Sequence, residues 1–166
     1  ADDVTLLAVS KFQPPEAVRA ALDAGLVHFG ESRVQEAKAK IPLCPGRARW
    51  QMIGHLQSNK CRDAVALFSL VQSVDSLALA QELDRQCEKA AKTLPVLLEV
   101  NVAGEASKFG YSPARLLAEF RALNQLTRLE IHGLMTIAPY ATDPEKVRVA
   151  LLACAKHKDT GPKLPP

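Results

Sequence analysis

Nowhere in this 166-residue chain do apolar residues run for the roughly 20 positions that a membrane-spanning helix needs. A basic leader is missing as well, because Ala1-Asp2-Asp3 is acidic where the first region of a signal peptide is positive. Charge of one sign is scarce: 21 Lys and Arg against 18 Asp and Glu leave a net charge of +3, with the basic residues scattered. No nucleic-acid surface is expected from that balance. The four cysteines, Cys44, Cys61, Cys87 and Cys154, form no CxxC pair, so zinc and redox signatures are missing and reduced, mostly buried thiols are expected. These absences point to a soluble cytoplasmic protein.

What is present is an ordinary globular composition, 48% hydrophobic and 23% charged. It excludes disorder, collagen and coiled coil as descriptions of the whole, and the length suffices for one domain with its own core.

The chain repeats one pattern. Leu6 to Ser10 is an apolar run readable as a buried strand, and Pro14-Pro15-Glu16 opens a helix with Ala17, Val18, Ala21 and Leu22 on one face, ended by Gly25. Val27 to Gly30 reads as a second strand, with Ser32 starting a helix that runs to about Ile41. Trp50 to Gly54 precedes a helix capped by Ser58, with Cys61, Val65 and Phe68 on one face. Leu70 to Val74 leads through Asp75-Ser76 into a helix carrying Leu79, Leu83 and Cys87. Pro95 to Val102 is a strand before the helix that Ser112-Pro113 begins, with Leu116, Phe120 and Leu123 on its apolar face. Leu129 to Ile137 is the last strand, and the capping box Thr142-Asp143-Pro144-Glu145 opens a final helix.

About six strand–helix units with no consecutive strands argue a parallel sheet covered by helices. An open doubly wound sheet and a (β/α)8 barrel both fit. Ser10-Lys11-Phe12-Gln13 after the first strand is no glycine-rich phosphate loop, which weakens the nucleotide-binding form of the open sheet. The alternation favours a barrel, although six units fall two short of closing one.

In parallel α/β proteins the chemistry gathers at the C-terminal ends of the strands. Those positions hold Lys11, Glu31-Ser32, Gly54-His55, Asp75, Asn101 and Met135-Thr136. Lys11 follows an apolar run directly; partial desolvation there favours the neutral amine that Schiff-base chemistry requires, while a snorkelling surface lysine is the plain alternative. Ser32 with Gln35 fits a capping box, and Asp75-Ser76 reads as a helix cap. His28 and His55 lack a partner at metal-ligand spacing and read as structural histidines. The polar loop from Asn101 to Gly110 lies beyond the best strand, where Lys108 offers a second amine or an anion-binding charge.

Several segments together carry a resemblance: Ala8-Val9-Ser10-Lys11, Phe29-Gly30-Glu31, Val34-Gln35-Glu36, Ile53-Gly54-His55-Leu56-Gln57-Ser58-Asn59-Lys60, Ser73-Val74-Asp75-Ser76, Gly104-Glu105-x-Ser107-Lys108-x-Gly110 and Gly133-Leu134-Met135-Thr136-Ile137. Over about residues 6 to 150 the chain resembles the pyridoxal phosphate homeostasis (pyridoxal phosphate-binding) proteins, whose barrel is similar to the N-terminal domain of alanine racemase. The resemblance implies an α/β fold, a TIM-type (β/α)8 barrel with about six units visible here and the last two missing, so that residues 1–166 make one incomplete cofactor-binding domain. It implies pyridoxal 5′-phosphate held on Lys11 as a Schiff base, in a pocket edged by Ser32, His55, Asn59, Met135 and Thr136. Family members bind the cofactor and influence its supply without robust turnover, with enzymes dependent on pyridoxal phosphate as partners.

Two departures from the family stand out. Ser32 replaces the usual Asn after Gly-Glu. The Ser-Met-Gly-Met-Ser and Arg-x-Gly-Thr segments that hold the phosphate in relatives do not occur, so the chain reads as a fragment or as the ordered part of a longer protein. Taken alone it is expected to retain cofactor weakly and to associate through open sheet edges. The rival readings are an amino-acid racemase, which needs a second base that Tyr111 or Tyr140 would have to supply, and a scaffold that has lost its cofactor.

Overall fold

The structure is a computed structural model that describes residues 4–44, 46–102, 104, 108–138, 145, 147–148 and 152. Apolar runs of a few residues form its strands, and each strand hands over to a helix. In chain order these are β1 (Ala8–Val9), α1 (Pro15–Asp23), β2 (His28–Glu31), α2 (Val34–Lys40), β3 (Arg49–Met52), α3 (Cys61–Leu67), β4 (Leu70–Val74), α4 (Leu77–Lys89), β5 (Leu94–Glu99), α5 (Pro113–Leu123) and β6 (Leu129–Met135).

All strand pairs are parallel, and the sheet order is β1-β2-β3-β4-β5-β6. That order decides between the two architectures. A doubly wound sheet reverses its strand order at a switch point, whereas a barrel wall adds each strand beside the last. The sheet is therefore a barrel wall, with every strand's C-terminal end on one rim. The outer edges of β1 and β6 have no strand partner among the described residues.

The helices bury their apolar stripes against the outside of this wall. Val18 and Leu22 of α1, Ala64 and Val65 of α3, Leu79 and Leu83 of α4, and Leu116 and Phe120 of α5 join Phe29, Trp50, Met52, Val71, Val96 and Leu98 of the strands in one core. The rings of Phe29 and Trp50 meet at 5.5 Å between centroids. Cys44, Cys61 and Cys87 are free and buried as expected, and burial pushes the Cys61 thiol up to about 12. Cys154 and the box from Thr142 to Pro144 lie outside the described residues.

Two helix starts match the sequence reading and two correct it. Ser76 accepts from the Leu79 N–H and Ser112 from the Arg115 N–H, so both serines cap α4 and α5. Ser32 does not cap α2, which begins two residues later with Arg33 at the cap position and no side-chain bond. Ser58 does not cap α3 either, because a 3-10 turn over Ser58–Lys60 comes first and puts Lys60 at the cap. A side chain caps only from the position next to the first helical residue. The first strand is also shorter than the run Leu6–Ser10, since β1 finds ladder partners on one side alone and Leu6 is left exposed.

Candidate functional site

The rim at the strands' C-terminal ends is joined residue by residue. Next to β1, the Ser10 N–H donates to the Gly30 carbonyl at 3.0 Å, and the Ile53 N–H after β3 donates to the Glu31 carbonyl at 3.0 Å. Ser73 of β4 donates its hydroxyl to the Gly54 carbonyl at 2.6 Å. Across β5 and β6, the Val100 N–H donates to the Met135 carbonyl at 2.8 Å, and the Thr136 hydroxyl returns a bond of 2.8 Å to the Val100 carbonyl.

Lys11 is exposed, immediately past β1, and its amine has no partner among the described residues. The desolvation expected of it is therefore not found among those residues, where the outer side of β1 has no strand partner. Its backbone is firmly held nonetheless. Ser10 is buried and donates its hydroxyl to Glu31 Oε1 at 2.8 Å, while Lys40 Nζ donates to the Ser10 carbonyl at 2.7 Å. Lys40 also donates to Glu31 Oε1 at 2.6 Å and to Glu36 Oε1 at 3.0 Å, and Glu36 Oε1 accepts the Phe12 N–H at 2.6 Å. Burial pulls the Lys40 ammonium down, but bonds and charges from Glu31 and Glu36 outweigh it and raise its pKa.

Ser32 is half-buried beside Gly54, and the closeness explains the glycine. A Cβ on residue 54 would fall 2.7 Å from Ser32 Cα and 2.9 Å from its carbonyl carbon, both backbone atoms. His55, the next residue, is partly exposed; its Nδ1–H donates to Asp75 Oδ2 at 3.1 Å. The Phe109 ring stacks on the imidazole with centroids 3.7 Å apart. This brings the loop after β5 over the ends of β3 and β4. It turns there at Gly110, whose φ of +114° and crowding against Asn101 N exclude a side chain. Lys108 lies in the same turn, its carbonyl accepting from Asn101 Nδ2 at 3.3 Å.

Asn59 stands on the exposed 3-10 turn, with no bond to the other candidates. Met135 and Thr136 are half-buried at the end of β6, and Thr136 spends its proton on the Val100 carbonyl. The Tyr111 backbone pairs with Glu99 and Asn101 at the end of β5, but its side chain is fully buried, and Tyr140 lies outside the described residues. Asp75 does more than adjoin a cap, since its carboxylate orients His55 and accepts the Ser76 hydroxyl at 3.1 Å.

By sequence the chain matches the family described as alanine racemase, N-terminal domain, over residues 1–162. It belongs to that family. Among curated relatives, the pyridoxal phosphate homeostasis protein of Pseudomonas aeruginosa is 47% identical over 135 residues, which is 81% of this chain and 59% of the relative. The protein of the same name from Escherichia coli K12 is 39% identical over 151 residues, 89% of this chain and 64% of the relative. This alanine racemase N-terminal domain thus spans about three fifths of the length of the curated relatives it matches.

Among solved structures, PipY of Synechococcus elongatus without pyridoxal phosphate is 39% identical and superposes with a TM-score of 0.89, over 99% of this chain and 79% of PipY. PipY with pyridoxal phosphate bound superposes at 0.85 over 96% of this chain and 77% of PipY. Alanine racemase of Clostridium difficile, 14% identical, shares the fold at a TM-score of 0.79 over 96% of this chain and 44% of the racemase.

Within this alanine racemase N-terminal domain, sequence reasoning missed three rim residues. Lys40 was legible as an i,i+4 partner of Glu36, though not as buried. Glu99 ends β5 and is buried; desolvation raises its carboxyl above its ordinary 4.5, Asp75 adds to that and His55 opposes it. Phe109 had no signal beyond its place in the loop. Among the described residues no group of three or more His, Cys, Asp or Glu is arranged to hold a metal, and no helix is long and apolar enough to cross a membrane.

Proposed function

We propose that this chain carries pyridoxal 5′-phosphate covalently on Lys11 and serves the intracellular homeostasis of that cofactor, with enzymes that depend on it as the partners it supplies. Residues 1–166 are read as part of one barrel domain. One observation carries the reading: a lysine amine without a partner among the described residues stands at the rim of a barrel wall that superposes on cofactor-bound PipY at a TM-score of 0.85 and 39% identity.

The residues at the rim fit the cofactor's chemistry. Lys11 offers an exposed amine without a partner among the described residues, Gly54 lets the Ser32 backbone pack close at the rim, and His55 presents an imidazole held by Asp75. When bound, the cofactor supplies an aldehyde carbon to which Lys11 Nζ bonds, the carbonyl oxygen leaving as water. Lys11 must shed one proton to present a neutral amine, which its exposure lets solvent take, and the two amine protons that remain would leave with the carbonyl oxygen in that water. Ser32, His55, Asn59, Met135 and Thr136 are the proposed edge of the pocket, and Lys108 brings a further cation to the same side.

Racemisation has less support. It needs a base on each face of the reacting carbon, and Tyr111 is fully buried, where burial first and then Glu119 push its phenol up.

Titration with pyridoxal phosphate tests the carrier reading. The visible absorbance of lysine-bound pyridoxal should rise and saturate at a single equivalent, and Lys11→Ala should abolish it. Saturable binding undiminished in Lys11→Ala would overturn the reading.

A further inference from the structure

Lys11 sits in a position that the sheet alone does not fix. β1 has two residues and ladder bonds on one side, and Phe12, next in the chain, has a φ of +63° and a side chain 72% exposed. A non-glycine residue in that left-handed region costs conformational energy, and no burial of the ring holds it there. A turn bond from the Gln13 N–H to the Ser10 carbonyl at 3.0 Å closes the chain over Lys11 and Phe12, and the peptides on either side of Lys11 are tied from there to α2. The Ser10 carbonyl accepts from Lys40 Nζ at 2.7 Å and the Phe12 N–H donates to Glu36 Oε1 at 2.6 Å, while Lys40 reaches that same Glu36 oxygen at 3.0 Å.

We propose that Lys40, braced by Glu31 and Glu36, is a positioning residue that fixes the Lys11 amine at the barrel rim. This rests on Lys11 being the cofactor's anchor. Lys40 uses all three of its protons on Ser10, Glu31 and Glu36 and is only 5% exposed. Burying an ammonium is a poor route to stability, since an apolar side chain of similar size does as well or better. What an apolar residue cannot do is hold a carbonyl on one strand and two carboxylates on other elements in one geometry. Glu31 Oε2, buried without a hydrogen-bond partner, shows that the cluster is not arranged for maximum satisfaction. Its Oε1 is aimed at Ser10 and Lys40 instead.

Three variants of the full chain separate positioning from folding. The double variant Lys40→Met/Glu31→Gln removes both buried charges together and leaves none stranded. Glu36→Ala acts from a side chain 24% exposed, while Glu36→Gln keeps an acceptor for the Phe12 N–H. The first readout needs no cofactor: hydrogen exchange of the Phe12 amide should quicken about tenfold in the double variant and in Glu36→Ala, with exchange in β4 and β5 unchanged. The second is retention of pyridoxal phosphate, which should weaken about tenfold in the same variants as the share of borohydride-trapped label on Lys11 falls. Glu36→Gln should restore both. Wild-type exchange at Phe12 in the double variant and in Glu36→Ala overturns the proposal. Quickened exchange supports it even where the wild-type chain traps no label on Lys11, a result that overturns the carrier reading instead.

Discussion

His55 and Asp75, on the segments that follow β3 and β4, meet at 3.1 Å between Nδ1 and Oδ2. The pairing orients the ring, with the Nδ1–H donating to the carboxylate. It depends on a helix cap, because Ser76 both receives the Leu79 N–H of α4 and donates to the other oxygen of Asp75.

Ser76→Ala removes two bonds at once. The lost cap alone should cost about 1 kcal/mol. Urea denaturation should show that loss, and the imidazole resonances of His55 should shift in the same variant. An unshifted His55 spectrum would mean that Asp75 holds its place without Ser76.

Glu99 gives the fold a pH dependence of definite sign. Desolvation first, then the Asp75 charge, raises its carboxyl above 4.5, with His55 opposing. A group raised in the folded state favours folding below its unfolded value and loses that contribution as pH climbs through the folded value. Glu99→Gln should therefore melt higher than wild type at pH 7, with the difference closing near pH 4. Parallel melting curves across that range would contradict the account.

Removing one partner of the buried pair Lys40–Glu31 leaves a stranded charge. Lys40→Met alone should destabilise the chain by about 3–5 kcal/mol, and adding Glu31→Gln should recover most of it. Chemical denaturation of the two variants checks the order.

Gly54→Ala places a methyl against the backbone of Ser32, which cannot move without shifting the end of β2. The expected cost is about 1–3 kcal/mol, together with weaker cofactor retention. Stability and retention both at the wild-type level would show that the rim is looser than its contacts imply.

The wall and its helices were legible because period and punctuation agree. Val18, Leu22, Leu79, Leu83, Leu116 and Phe120 announce helix faces, and Pro15 and Ser112 announce starts that the structure keeps. The alternation and the lack of a glycine-rich loop after the first strand already favoured a barrel over a doubly wound sheet, and the strand order decides it. Ser32 and Ser58 misled since each has the chemistry of a cap but stands short of the cap position, Ser32 by one residue and Ser58 by a 3-10 turn. Lys40 reads as a solvated end of an amphipathic helix, and only tertiary packing turns it inward to Ser10. Glu99 stands at a strand end, where polar residues usually meet water, so neither its burial nor its coupling to Asp75 and His55, which arises between segments far apart in sequence, was read. Lys11 shows the opposite limit: its place past the first strand was readable, whereas its exposure depends on what lies beside β1, where no strand pairs among the described residues and which no local pattern encodes.

The central claim is that Lys11 is the cofactor's anchor, and mass mapping tests it most directly. The purified chain is incubated with pyridoxal phosphate, reduced with borohydride, digested and analysed peptide by peptide. A single stoichiometric adduct on the peptide carrying Lys11, lost in Lys11→Ala, is the predicted result. Label spread over the exposed lysines, or absent altogether, would contradict it.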